Sequence, residues 1–340
     1  MPQLVPSGPP VSGGSGVIGS GGWVHTLGKM LRKTVTTTGP SFEFDLAVDP
    51  IEQFRTPDRT GSYLGVSKHG FHRVAYVEWG DPQSERVAIC LHGLSRQGRD
   101  FDLIAAELAR RGWRVICPDL VGRGRSDWLR EPTEYTLPQY VSDLAALVAR
   151  LDVPRIDWIG TSLGGIVGML MAGQRQSPVS RLVVNDIGPF VTWQVLQRLA
   201  EAVRAAPLTM PDLASATSFV RTSLSGFGPL SDEKWEHMAR HGFVQNNVGA
   251  WRKLADSDIA GPLRSSLLFN LSIWNYWDQI ECPTLVLRGT ESDVLPAAIA
   301  TEMTQRGPKA DLVEFRGCGH APALMDADQI ATVADWLGQD

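Results

Sequence analysis

Short apolar runs and amphipathic stretches alternate along most of this chain. Six short runs have a strand-like apolar pattern, and five of them close on a glycine. They are "RVAICLHG" at 86–93, "WRVICPDL" at 113–120, "RIDWIG" at 155–160, "RLVVNDIG" at 181–188, "PTLVLRG" at 283–289 and "DLVEFRG" at 311–317. Such runs read as strands, and "RVAICLHG", the short apolar run ending in glycine, fits a strand buried on both faces. An earlier segment, "FHRVAYVEWGDP" at 71–82, alternates in character and reads as a strand of its own. Between the runs the apolar spacing lengthens to that of a helix, over 100–112, 137–151 and 164–173, and again near 297–305 and 329–337. Strands and helices alternating at this spacing predict an α/β fold, a mostly parallel central sheet with helices on both faces.

The alternation stops between 190 and 281. That stretch holds helical patterns, the best being "QVLQRLAEAVRAA" and "SDEKWEHMARHGF", and no clear buried strand. The simplest organisation is a core with a helical cap inserted between two of its strands. It divides into a first core part at 41–189, the cap at 190–281 and a second core part at 282–340. Residues 1–40 are rich in glycine, serine and proline and cannot bury much surface, so they are expected to be disordered.

Composition narrows the function classes. The 340 residues are 43% hydrophobic, enough for a sizeable core, and the net charge of -5 lacks the basic excess of a nucleic-acid binder. No apolar stretch reaches the ~20 residues that span a bilayer. The N-terminus has no basic segment followed by an apolar one, so no export signal is recognised and a cytoplasmic location is expected. The four cysteines show no CxxC spacing, which argues against zinc and thiol redox chemistry and for reduced, buried thiols.

The chemistry begins at Gly160-Thr161-Ser162-Leu163-Gly164, where a predicted strand meets a predicted helix. A nucleophile on so tight a turn is pushed out of the sheet, and the backbone crowding requires small residues two before and two after it. The helix that starts there aims amide groups at a developing oxyanion. In a chain with 34 glycines the pattern alone is weak, and its position at an element boundary gives it weight. His320, in "RGCGHAP" after a late predicted strand, is the candidate base. Asp293, in "LRGTESDVLP", is the candidate acid that orients it, with Glu291 as a solvated neighbour. The "LHG" turn at the end of an earlier run places the Leu94 amide as one oxyanion donor, with the Leu163 amide as the second.

Taken together, "LHGLS", "PDLVGRGRSDW", "GTSLGG", "NDIGP", "RGTESDVLP" and "GCGHAP", in that order, resemble the α/β-hydrolase superfamily from about Val74 to Leu337. The resemblance implies Ser162 as nucleophile, His320 as base, Asp293 as acid, an oxyanion hole from Leu94 and Leu163, a variable cap and no cofactor. "HGLSRQGRDFD", "SDW" and "NDIGP" look most like bacterial serine carboxylesterases, some of which cleave phthalate monoesters or aliphatic polyesters such as polylactide. A small or polymeric ester is therefore the expected partner. Asp186 is the rival acid, since some members place theirs after that earlier strand; Asp293 is preferred because it follows the strand usual for the role. Serine at the elbow argues against epoxide hydrolases and haloalkane dehalogenases, which carry aspartate there. Lactonases and carbon–carbon bond hydrolases use the same three residues, and a non-catalytic ligand receptor on this fold is the alternative of another class.

Three further features have plainer explanations. "RGRSD" at 123–127 lacks phosphate-loop spacing and reads as a structural loop. His237 and His241 have metal-chelating spacing on a helix, but HExxH is absent and a surface cap helix is expected. Five of the eleven tryptophans lie in the cap, where they are expected to pack the cap onto the core, and Trp193, Trp274 and Trp277 are also candidates for lining a substrate pocket.

Overall fold

A computed structural model describes residues 54–264 and 269–339. The expectation of disorder for 1–40 lies outside the described residues. Eight strands form the central sheet: β1 (Arg59–Ser67), β2 (Gly70–Trp79), β3 (Val87–Leu91), β4 (Arg114–Pro118), β5 (Ile156–Thr161), β6 (Val179–Asn185) and two that follow the insertion. Within the insertion lie short strands β7 (Phe190–Val191), β8 (Thr209–Met210), β9 (Phe243–Gln245), β10 (Trp251–Lys253) and β11 (Leu271–Ser272). The last two sheet strands are β12 (Thr284–Gly289) and β13 (Asp311–Phe315), and the order across the sheet is β1-β2-β4-β3-β5-β6-β12-β13. β2 pairs antiparallel with both β1 and β4, and every pairing from β4 to β13 is parallel.

The two-residue period of β3 shows how the core is divided. Val87, Ile89 and Leu91 face one hydrophobic cluster, and Ala88 and Cys90 face another. The first cluster packs under α2 (Leu137–Leu151), α3 (Leu163–Ala172) and α8 (Ala297–Met303), and the second under α1 (Asp102–Arg110) and α9 (Ala327–Leu337). α2 illustrates the sequence logic. Thr136 caps it by accepting from the Gln139 amide, Pro138 sits in its first turn, and Tyr140, Leu144, Leu147 and Leu151 form one buried stripe. All ten residues of α3 are buried, so this helix is apolar all round.

The insertion holds α4 (Trp193–Ala205), α5 (Leu213–Ser223), α6 (Asp232–Gly242) and a short α7 (Trp274–Trp277). Its small strands make a three-stranded sheet, β8-β10-β9, and the pair β11-β7. At two or three residues apiece they are too short to leave a period in the sequence. Phe227, Trp235, Met238 and Phe243 of the insertion pack with Ala323 and Met325 of the core, a cluster that joins the cap to the loop carrying His320.

Candidate active site

Ser162 sits between β5 and α3 with φ 53 and ψ −115, a backbone conformation that costs a non-glycine residue about 1–3 kcal/mol. The turn is built around small neighbours. A Cβ on Gly160 would lie 2.2 Å from the Gly164 carbonyl oxygen, and one on Gly164 would lie 2.0 Å from that of Leu91. The Ser162 amide donates to the Asn185 carbonyl at 2.9 Å, and its own carbonyl accepts from the Gly165 and Ile166 amides. The hydroxyl is thereby fixed above the C-terminal end of the sheet, where open α/β sheets place their ligands.

His320, in the loop after β13, reaches back to this hydroxyl. Its Nε2 lies 2.9 Å from Ser162 Oγ, and its Nδ1 lies 2.8 Å from Asp186 Oδ2. A carboxylate only accepts, so Nδ1 carries the proton and Nε2 is left to accept the serine proton. Asp186, immediately after β6, is fully buried with φ 56. Its carboxylate also accepts from the Gly289 amide at 2.8 Å and from the Ser292 hydroxyl at 2.5 Å.

The expectation for Asp293 is thus corrected. Its carboxylate is exposed, pairs with Arg198 of α4, and is held below the usual carboxylate range by that guanidinium. The reason lies in the strand order. β6 stands between β5 and β12, so its C-terminal loop lies beneath the path of His320 towards Ser162. The loop after β12 contributes the Ser292 hydroxyl and the Gly289 amide to Asp186 and turns Asp293 outward.

The other candidates divide. Gly93 lies against Ser162, where a Cβ would come within 3.6 Å of the serine Cβ. The Leu94 amide has no protein acceptor among the described residues, and Leu163, as the first residue of α3, has none within the helix. Both residues line a cavity at Ser162. The three tryptophans do not, which corrects that expectation. Trp277 is fully buried and donates from Nε1 to the Arg306 carbonyl, Trp274 lies under the Arg306 guanidinium, and Trp193 opens α4 with its amide on Asn270. Trp277 and Trp274 pack with the main core cluster.

His237 also departs from expectation. His237 is buried rather than on the surface, stacks on Phe54 and stands 3.2 Å from Asp102, which the Arg99 guanidinium already engages through Nε. The cationic place beside Asp102 is occupied by arginine.

Several supporting residues carried no signal strong enough to single out in the sequence. The fully buried Arg123, within the loop taken as structural, donates from Nε to the Leu94 carbonyl and from Nη1 to Val121 O and the Tyr140 hydroxyl. His92 donates from Nδ1 to the Gly93 carbonyl while its Nε2 accepts from the Leu120 amide; burial holds it down at about 3, so it stays neutral. These two bracket the Leu94 peptide. Asn185 donates to Thr161 Oγ1 and to the Pro322 carbonyl, tying the strand before Ser162 to the loop of His320.

Two cavities meet at Ser162. One, of about 420 Å3, runs past His320 and Ala321 to Arg96, Asp100 and Lys253. The other, of about 450 Å3, is walled by apolar side chains such as Leu137, Ile166, Ile187, Leu196 and Phe269. Each has the size usual for a small-molecule site, roughly 300–1,000 Å3.

Comparison with known proteins agrees with this fold. A family model described as Alpha/beta hydrolase family matches residues 88–335. A 3-hydroxybutyrate-oligomer hydrolase of Cupriavidus necator is 40% identical over 281 residues, covering 80% of this chain and 95% of that protein. Lipase LipV of Mycobacterium tuberculosis is 29% identical, over 77% of this chain and 97% of its own. Among solved structures, an alpha/beta hydrolase from Novosphingobium aromaticivorans superposes with a TM-score of 0.73 at 32% identity, covering 82% of this chain and 98% of that one. Among the described residues no helix is long and apolar enough to cross a membrane.

Proposed function

The chain belongs to the alpha/beta hydrolase family, and on that premise we propose that it is a serine carboxylester hydrolase acting on oligomeric esters of small hydroxyacids. The observation that carries this proposal is the unbroken hydrogen-bonded series Asp186, His320, Ser162 at a strained strand-to-helix turn. The likeness to a hydrolase of 3-hydroxybutyrate oligomers supports the substrate class.

His320 Nε2 takes the Ser162 proton as Oγ attacks the ester carbonyl. Asp186 keeps Nδ1 protonated and stabilises the imidazolium that forms. The Leu94 and Leu163 amides receive the oxyanion, each contributing about 3 kcal/mol to the transition state. Arg123 and His92 hold the Leu94 peptide in place, so this donor needs no reorganisation during the reaction. The alcohol leaves with the proton from His320, and Ser162 carries the acyl group. Water deprotonated by His320 then attacks the acyl carbonyl, releasing the acid and restoring the serine. No step calls on a cofactor.

The test is turnover of p-nitrophenyl butyrate and of linear 3-hydroxybutyrate trimer by the wild type and by Ser162→Ala. We expect hydrolysis of both, a burst of p-nitrophenol at high enzyme concentration, and a loss of kcat on the order of 10⁴-fold or more in the variant. Equal rates in the two proteins would remove Ser162 from the mechanism. No turnover of either ester by the wild type would overturn the esterase assignment and favour a carbon–carbon bond hydrolase.

A further inference from the structure

The two cavities at Ser162 differ in charge. In the one that passes His320, Arg96 and Asp100 neutralise each other through two hydrogen bonds of 2.6 Å. Lys253, on β10 of the cap, lines the same cavity half-buried, and its ammonium has no hydrogen-bond or ion-pair partner among the described residues. The remaining titratable groups on that lining are His92, held neutral by burial, and His320. The cavity therefore holds one uncompensated positive charge. A partly desolvated ammonium with no partner is costly, and an anionic ligand group would offset that cost. Burial, with Arg96 as the second cause, pushes Lys253 down to about 8, so the cation persists at neutral pH.

Proton transfer decides which half of an ester enters this cavity. The departing alkoxide must take its proton from His320 Nε2. His320 and the residues after it line the Lys253 cavity and form no part of the apolar one. The alcohol half therefore lies towards Lys253, and the acyl half fills the apolar cavity.

Resting on the esterase proposal above, we infer that Lys253 is a carboxylate-binding subsite for the alcohol half of the substrate. The substrates are then esters whose alcohol half is a hydroxyacid with a free carboxylate, and an oligomer is cut at the bond next to its carboxyl end. One water is consumed: the acyl half leaves as a carboxylic acid, and the terminal unit leaves as a free hydroxyacid with its carboxylate unchanged. A carboxylate on the acyl half, as in a dicarboxylic monoester, lies on the wrong side of Ser162 to reach the cation.

The experiment compares kcat/KM for the linear 3-hydroxybutyrate dimer as free acid and as methyl ester, with monoethyl and diethyl succinate as the acyl-side control. In the wild type the free acid is favoured by on the order of tenfold or more, which one charge-assisted hydrogen bond supplies. The succinate pair shows no such gain. In Lys253→Met the free-acid preference falls towards one, chiefly through KM, and Lys253→Arg retains most of it. The wild-type preference also declines as pH rises through about 8, where the free ammonium is lost. Each ratio is internal to one preparation, so a variant that folds poorly does not distort it, and the wild-type comparison stands alone if Lys253→Met does not fold. A wild-type ratio of one or less, or a ratio unchanged in Lys253→Met, overturns the subsite. Absence of turnover on all of these esters and on p-nitrophenyl butyrate overturns the esterase assignment instead.

Discussion

The loops after β6 and β12 leave neighbouring parallel strands at the same end of the sheet, and each carries an aspartate. Their carboxylates meet opposite surroundings. Asp186 is fully buried and accepts from Gly289, Ser292 and His320. Asp293 has 57% of its side chain exposed and faces the Arg198 guanidinium of the cap. A buried carboxylate persists as an anion only when donors surround it. The contrast shows that an acid is set to a histidine by converging donors more than by its rank in chain order.

The largest expected effect comes from Asp186→Asn, which should lower kcat on p-nitrophenyl butyrate by on the order of 10⁴-fold, because an amide no longer holds the tautomer or stabilises the imidazolium. A loss of that size in Asp293→Asn instead would invert the comparison. Ser292→Ala sharpens it. Removing one of three donors to Asp186 should cost about tenfold in kcat with KM little changed, a modest loss because the Gly289 amide and His320 remain. An unchanged kcat there would mean that the 2.5 Å contact contributes nothing to positioning. The smallest effect belongs to Asp293→Asn. Exposed ion pairs are worth about 0–1 kcal/mol, so steady-state rates should stay within about threefold of the wild type.

The central strands were legible because burial on both faces leaves nearly continuous apolar runs, as in "AICL" of β3 and "TLVLRG" of β12. β1 was not. It pairs along its whole length with β2, but its inward positions include Gly65, whose missing Cβ leaves room for Asp143 and His72, and its outward positions expose Leu64 and Val66. That arrangement inverts the contrast a periodicity search relies on. α5 carries serine and threonine through its middle, residues that depress helix propensity, and only its tertiary contacts with α6 give it a clear place. The cap tryptophans left packing and pocket lining both open in the sequence, because an aromatic residue serves either, and the structure places none of Trp193, Trp274 and Trp277 on the cavities at Ser162.

For the site, the sequence by itself determined the tight turn at Ser162 and the loop that carries His320. Both depend on local constraints: glycines where any Cβ would strike backbone, and a histidine just past a strand end. The choice between two aspartates, the place of Arg123 behind Leu94 and the lack of a partner for Lys253 among the described residues were decided only by tertiary structure. Each depends on groups far apart in the chain, such as Asp186 with Ser292 and His320, or Arg123 with Leu94. A residue type states what a side chain can donate or accept, and the fold alone states which partners are left to satisfy it.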